Sequence, residues 1–145
     1  MKRVSVKGRS LARCRRGTSA VEFAIVAPVL LFLLFGIIAY GIFFGAVHSV
    51  QQLAANSARA AIAGLDLAER RSLVEAHVAA TVSGGGLLAR DALAVEVAPI
   101  EGNETFLKVT VTFDASHLPV WSLYEGLPLP ETTIRREAII RNGGY

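Results

Sequence analysis

The residues of this 145-residue chain with the clearest chemical potential lie at one junction near its N-terminus. Gly17 ends a basic segment, and Glu22 follows at the head of a long apolar run. A peptidase can reach an extended backbone at a glycine, and a carboxylate at the start of a membrane helix is costly to bury. The junction therefore indicates a processing site and a carboxylate in need of a partner. In the alternative interpretation, Glu22 is an ordinary first-turn acid favoured by the helix dipole.

The rest of the sequence offers little further chemistry. His48, His77 and His117 are too widely separated to form a metal-ligand motif. The glycines at 84–86 are not followed by the Lys-Ser/Thr pair of a phosphate-binding loop. Cys14 is the single cysteine, so no internal disulfide can form. We expect no enzyme activity, no cofactor, no metal, and neither a nucleic-acid nor a small-molecule partner.

The junction is followed by an apolar run that predicts one transmembrane helix. Residues 23–47 carry no formal charge, and as a helix they would span roughly 37 Å, against about 30 Å of hydrocarbon core. A cleavable secretory signal has a shorter apolar core, and a chain of this length has little else to enclose a core helix. Pro28 can kink the helix. Gly36, Gly41 and Gly45 would let two helices approach closely.

Charge is distributed unevenly about this segment. Residues 1–17 hold seven basic side chains and no acid, whereas residues 18–145 hold eight basic and twelve acidic side chains. A basic tail can bind nucleic acid, but here it adjoins a membrane segment. The positive-inside rule places the N-terminus in the cytoplasm and the C-terminal part outside, across the cytoplasmic membrane.

The remaining residues predict an α+β fold. The first helix continues to about Ala63, with a stripe of small and apolar residues on one face. That stripe comprises Val50, Leu53, Ala54, Ser57, Ala58, Ala61 and Ile62. A second helix should follow a capping box at Asp66 and Glu69 and run to about Val82. Its apolar face contains Leu67, Val74, Val78 and Val82.

Three strands complete the predicted fold. Alternating apolar and polar residues indicate strands at about 92–100, 106–114 and 132–141, with Gly102-Asn103 as a hairpin turn. They should form a small antiparallel sheet packed on the helix. Residues 117–131 would connect the last two strands. Trp121 and Tyr124 in that connection could form a partner surface, or a lid over one end of the core.

The junction resembles the processing site of type IV prepilins and pseudopilins, and within them the TadE-like branch of tight-adherence (Flp-type) pili. The resemblance rests on Gly17, Glu22, Phe23 and Pro28, the glycine-interrupted run, and the alanine-rich stretch 54–63. It implies that a prepilin peptidase cuts between Gly17 and Thr18, which makes Glu22 the fifth mature residue. Segments 1–17, 18–64 and 65–145 would then be leader, helix and extracytoplasmic domain.

This resemblance implies a minor pseudopilin that supports pilus assembly. Its expected partners are the bilayer, the prepilin peptidase, other pilins or pseudopilins, and the tight-adherence secretion platform. Two alternatives remain open. One is an uncleaved, single-pass membrane-anchored module that binds or scaffolds another envelope protein. The other is an anchored envelope enzyme, which would require activity in residues 65–145.

Overall fold

One long helix, α1, dominates the N-terminal half of the chain. In the computed structural model, which describes residues 15–83, 86–123 and 131–141, α1 runs from Arg15 to Ala61 and continues through Pro28. The stretch Ser19–Ala61 is long and apolar enough to cross a membrane. The helix ends at Ala61, two residues before the predicted end at Ala63, and a turn then leads into Gly64.

The chain divides into two compact units, Met1–Ile37 and Ile38–Tyr145. In the first, the described residues are all helical, and none of the side chains from 19 to 37 is buried. Exposed leucine, isoleucine, valine and phenylalanine side chains surround the helix in this unit. A helix whose apolar side chains point in every direction, and are not buried by any described residue, has the surface of a membrane-embedded helix. The predicted segments 1–17, 18–64 and 65–145 are a division by processing and topology, and they stay a prediction.

The second unit is built on the C-terminal part of α1. Its buried face begins at Ala39 and recurs at helical spacing; the buried side chains are Ala39, Phe43, Ala46, Val50, Leu53, Ala54, Ser57, Ala58 and Ala61. The predicted stripe is confirmed except for Ile62, which is 52% exposed because it lies in the turn after the helix. The sequence predicts a membrane span over the whole apolar run 23–47, but the last third of this run contributes buried side chains to the protein core.

The second helix, α2, runs from Leu67 to Val82 with Asp66 as its N-cap. The Glu69 backbone N–H donates to Asp66 Oδ1 at 2.8 Å, as the capping-box spacing predicts. The Glu69 carboxylate accepts instead from the Leu65 N–H, at 2.7 Å, one residue before the expected partner. Val74 and Val78 are buried, while Leu67 and Val82 pack partly buried against the core.

The three strands form one antiparallel sheet in the order β1-β2-β3: β1 Leu93–Ile100, β2 Asn103–Asp114 and β3 Thr133–Arg141. The hairpin turn is Glu101–Gly102, one residue earlier than predicted, because Asn103 already pairs with Ile100. Gly102 has φ +78°, a conformation that favours glycine. The α+β fold with two main helices and a three-stranded antiparallel sheet is confirmed.

The inner face of the sheet completes the core. Leu107, Val109, Val111 and Phe113 of β2 alternate with more exposed neighbours, apart from buried Thr110, and join the buried face of α1 in one apolar cluster. At the edge of the sheet, Arg71 Nε of α2 donates to the Val97 carbonyl at 3.2 Å.

The connection from β2 to β3 contains short helices, where the sequence predicted only a loop. A single 3-10 turn covers Ala115–His117, and a short helix, α3, covers Val120–Leu123. Ala115, Leu118 and Val120 are buried, so this connection closes part of the core. A matching 3-10 turn, Arg90–Ala92, leads into β1.

Candidate processing and assembly site

The predicted scissile bond lies within the first described residues of α1. The described helix runs from Arg15 to Ala61, so Gly17 and Thr18 are helical, whereas an extended backbone is expected at Gly17 from the sequence. Glycine has a low helix propensity, which weakens the helix at this position. A peptidase that binds an extended substrate would therefore have to unwind a weakly stabilised part of the helix.

Glu22 lies on α1, seven residues after Arg15. Its side chain is exposed, as are Phe23 and Pro28. Glu22 is the single formally charged residue of α1 between Arg16 and Arg59. A lone carboxylate on an otherwise apolar helix needs a compensating charge when it enters a membrane or a helix bundle. Its predicted role in assembly remains a prediction.

The three predicted helix-packing glycines have different surroundings. Gly36 is half-buried and Gly41 is exposed, and a Cβ at Gly41 would meet no atom within 4 Å. A Cβ at Gly45 would lie 3.5 Å from Leu87 Cδ1, so this glycine admits a contact within the same chain. The role of these glycines in packing against another helix stays a prediction.

Contacts at Trp121 favour the lid interpretation over the partner surface. Its ring packs partly buried against the core, and Nε1 donates to the Ala115 carbonyl at 2.6 Å. Tyr124, the other predicted surface residue, lies outside the described residues. Nearby, the Asp114 carboxylate accepts from the Ser116 N–H at 2.9 Å. This bond and the Ser116 hydroxyl, with a smaller contribution from His117, lower the pKa of Asp114.

One feature that the sequence did not predict is the approach of the Leu87 side chain to the backbone at Gly45. A cavity of about 220 Å³ beside it is lined by α1, the last turn of α2 and residues 86–88. The signal in the sequence was a stretch without Asp, Glu, Lys or Arg, residues 76–89, that ends in Leu87, Leu88 and Ala89. In the described part of the chain, no three His, Cys, Asp or Glu side chains form a metal-binding group.

Together these features define a class of protein. Among the residues that the structure describes, one helix is long and apolar enough to cross a membrane, and a small α+β unit is built on its C-terminal part. Within that class, the sequence profile of the TadE-like protein family matches residues 17–59. This match confirms the resemblance to the TadE-like family. No curated protein matches the chain. No solved structure matches it either.

Proposed function

We propose that this chain is a minor pseudopilin, an assembly component of a tight-adherence (Flp-type) type IV pilus, and that a prepilin peptidase cuts it after Gly17. The proposal rests mainly on the position at which the TadE-like match begins. It starts at residue 17, the proposed cleavage position, and leaves the basic residues 1–16 outside. The match then runs through Glu22, Pro28 and the exposed apolar helix.

The proposed topology follows from charge. Seven basic residues lie within residues 1–16, ahead of the apolar run, and the next basic residue is Arg59. Under the positive-inside rule the leader stays in the cytoplasm and the C-terminal unit lies outside the cytoplasmic membrane. Cutting after Gly17 removes all seven basic residues, and with them the electrostatic attraction to the anionic inner leaflet.

Cleavage also creates a new charge close to Glu22. The mature chain would begin with a positive amine at Thr18, four residues before Glu22 and therefore on the same helix face. In a bundle of such helices, the amine of one subunit can approach the carboxylate of another. In a low-dielectric site this pairing offsets part of a desolvation cost that either charge would otherwise bear alone.

The exposed apolar surface at 19–37 supplies the assembly surface in this proposal. Nothing in the described part of the chain buries it, so lipids or other helices must cover it. Its proposed partners are other pilins or pseudopilins, the prepilin peptidase and the secretion platform. The proposal assigns the chain no catalytic role and no cofactor.

The test is complementation of a deletion strain, with sheared surface pili quantified by electron microscopy and immunoblotting. We expect Glu22→Ala to reduce piliation strongly while the protein remains in the membrane fraction. Glu75→Ala is the matched control, since Glu75 is an exposed glutamate on α2. Wild-type piliation with Glu22→Ala would instead favour the uncleaved binding or scaffold module.

A further inference from the structure

We propose that the end of the C-terminal unit around Leu87 is a membrane-contact surface that lies in the headgroup region of the bilayer. This surface consists of Tyr40, Phe44, Leu87 and Leu88. The inference rests on one part of the proposed function, namely that α1 crosses a membrane. It is independent of cleavage and of pilus assembly.

Only part of α1 can lie within the hydrocarbon core of a bilayer. Counting from Phe23, the residue after Glu22, about twenty helical residues span the hydrocarbon core of about 30 Å. This count ends near Ile42. Burial by the C-terminal unit already begins at Ala39. The residues from Tyr40 to Gly45 therefore stand where the helix leaves the hydrocarbon, and the protein core starts at the same level.

The second step places Leu87 at that level. The chain turns at Gly64, and α2 returns through 16 residues to Val82. Side chains of Ser49 on α1 and Thr81 on α2 line the same cavity, so the end of α2 lies beside this part of α1. Leu87 Cδ1 is 3.5 Å from the position of a Cβ at Gly45. The 86–88 segment thus lies where α1 enters the membrane.

The third step is the chemistry of the exposed side chains. Phe44 is 61% exposed and Leu87 is 45% exposed, and the rings of Tyr40 and Phe44 are 6.1 Å apart. Aromatic rings concentrate at membrane interfaces, and apolar side chains there can bury themselves at the boundary between headgroups and acyl chains. Arg90, exposed and close in sequence, has a long side chain that can reach headgroup phosphates.

A lipid surface fits this patch better than a separate protein partner. Between Glu22 and Arg59 of α1, and between Glu75 and Arg90, no formally charged residue interrupts the surface. The patch is continuous with a helix that is already embedded, so lipid contact needs no further association event. Leu65 is also exposed, but it follows the C-terminal end of α1. The helix rises about 24 Å from Gly45 to Ala61, so Leu65 lies too far from the bilayer to belong to this surface.

Site-directed spin labelling tests the proposal. Cys14 is the single cysteine, so Cys14→Ser gives a background for one label at a time in the full chain. Leu87→Cys is the test position, Leu30→Cys the matched hydrocarbon position and Leu65→Cys the matched aqueous position, since Leu65 is 90% exposed. The protein is reconstituted in phosphatidylethanolamine–phosphatidylglycerol vesicles, and collision rates with oxygen and a water-soluble nickel chelate are measured.

We expect the oxygen-to-nickel collision ratio at Leu87→Cys to be several-fold higher than at Leu65→Cys and lower than at Leu30→Cys. A ratio equal to that at Leu65→Cys, with Leu30→Cys in hydrocarbon, overturns the contact surface alone. Aqueous accessibility at Leu30→Cys overturns the membrane crossing as well. Low collision rates with both reagents at Leu87→Cys would show a protein contact, such as a second copy, and would also overturn the proposal.

A second label protects the test against misfolding at Leu87. Phe44→Cys lies on the same surface but projects from α1, outside the Leu87–Gly45 contact. It should give the same intermediate ratio as Leu87→Cys. Circular dichroism melting curves identify any variant that has lost the fold, and an aqueous ratio at a folded Phe44→Cys also contradicts the proposal.

Discussion

At Gly64 the turn between the two helices leaves no space for a side chain. A Cβ there would lie 2.6 Å from Arg70 Cγ and 2.8 Å from the Arg70 backbone nitrogen. Arg70 Nε also donates to the Gly64 carbonyl at 2.9 Å, which fixes the approach. Packing at this turn therefore requires a glycine at position 64.

Gly64→Ala should lower the free energy of unfolding by about 1–3 kcal/mol, because the backbone of α2 must shift to accept the methyl group. Thermal unfolding of the full chain in detergent micelles measures this. Gly86→Ala is the control, since a Cβ there meets no atom within 4 Å. Equal melting temperatures for the two variants would contradict the packing argument.

Ser57 places a buried hydroxyl on the core face of α1, where an apolar side chain is expected. Among the described residues, its Oγ has no hydrogen-bond partner. Because an unsatisfied buried hydroxyl costs about 1–3 kcal/mol, Ser57→Ala should leave stability unchanged or raise it by about 1 kcal/mol. Ser72→Ala, at an exposed position of α2, provides the reference. A loss of more than about 1 kcal/mol in denaturant titrations would show that the hydroxyl has a partner.

The Asp114 carboxylate gives the unit an acid-sensitive contact outside the membrane helix. Its pKa lies below the ordinary aspartate value, chiefly because the Ser116 N–H donates to it. A lowered folded-state pKa means that the contribution is present above the ordinary value and is lost as the pH falls through the lowered one. Asp114→Asn should therefore destabilise the fold at neutral pH and have a smaller effect at strongly acidic pH.

Melting curves over a pH series measure this effect, with Asp91→Asn as the control for removing one negative charge. A gap between wild type and Asp114→Asn that stays constant from neutral to strongly acidic pH would contradict the assignment. So would an equal pH dependence in the Asp91→Asn variant.

Among the secondary-structure elements, α1 is apolar over two regions with different surroundings: an exposed surface and a protein core. Its residues from 19 to 38 have no buried side chain in the described structure, and from Ala39 one face enters the protein core. On that face alanine recurs, which lets the other core residues pack close to the helix backbone. The opposite face of the same turns carries exposed polar residues such as Gln51.

This division predicts unequal tolerance to larger side chains. Ala58→Leu should cost about 1–3 kcal/mol, because Ala58 is fully buried and the added volume overpacks the core. Gln51→Leu adds a leucine to the exposed face of the same helix and should change stability by less than about 0.5 kcal/mol. Chemical denaturation of both variants is the measurement, and a similar cost for the two would refute the assignment of faces.

The sequence predicted the periodic elements well and the shared helix less well. The alternation in β2 and the Asp66–Glu69 spacing predicted the sheet and α2, since both signals are local. The change at Ala39 from exposed surface to protein core carried no signal, because lipid and a protein core select the same apolar residues. The Leu87–Gly45 contact was missed for a related reason: it joins positions far apart in the chain. The helical backbone at Gly17 also differs from the expected extended one, because glycine is compatible with both conformations.

At the scale of the whole molecule, the proposal joins three features of the chain. They are a basic leader, a membrane-capable helix with a single carboxylate near its head, and an α+β unit on the distal part of that helix. The TadE-like match spans the second feature and starts where the first one ends. A pseudopilin needs the leader removed before its helix can join others, whereas a permanently anchored module does not.

Intact-mass spectrometry of the protein purified from membranes of a host that has the prepilin peptidase tests this claim most directly. We expect the mature chain to begin at Thr18, and a Gly17→Val variant, whose β-branched side chain obstructs the cut, to retain its leader. Recovery of the wild-type chain with its N-terminal leader intact, or with a first residue other than Thr18, would contradict the account.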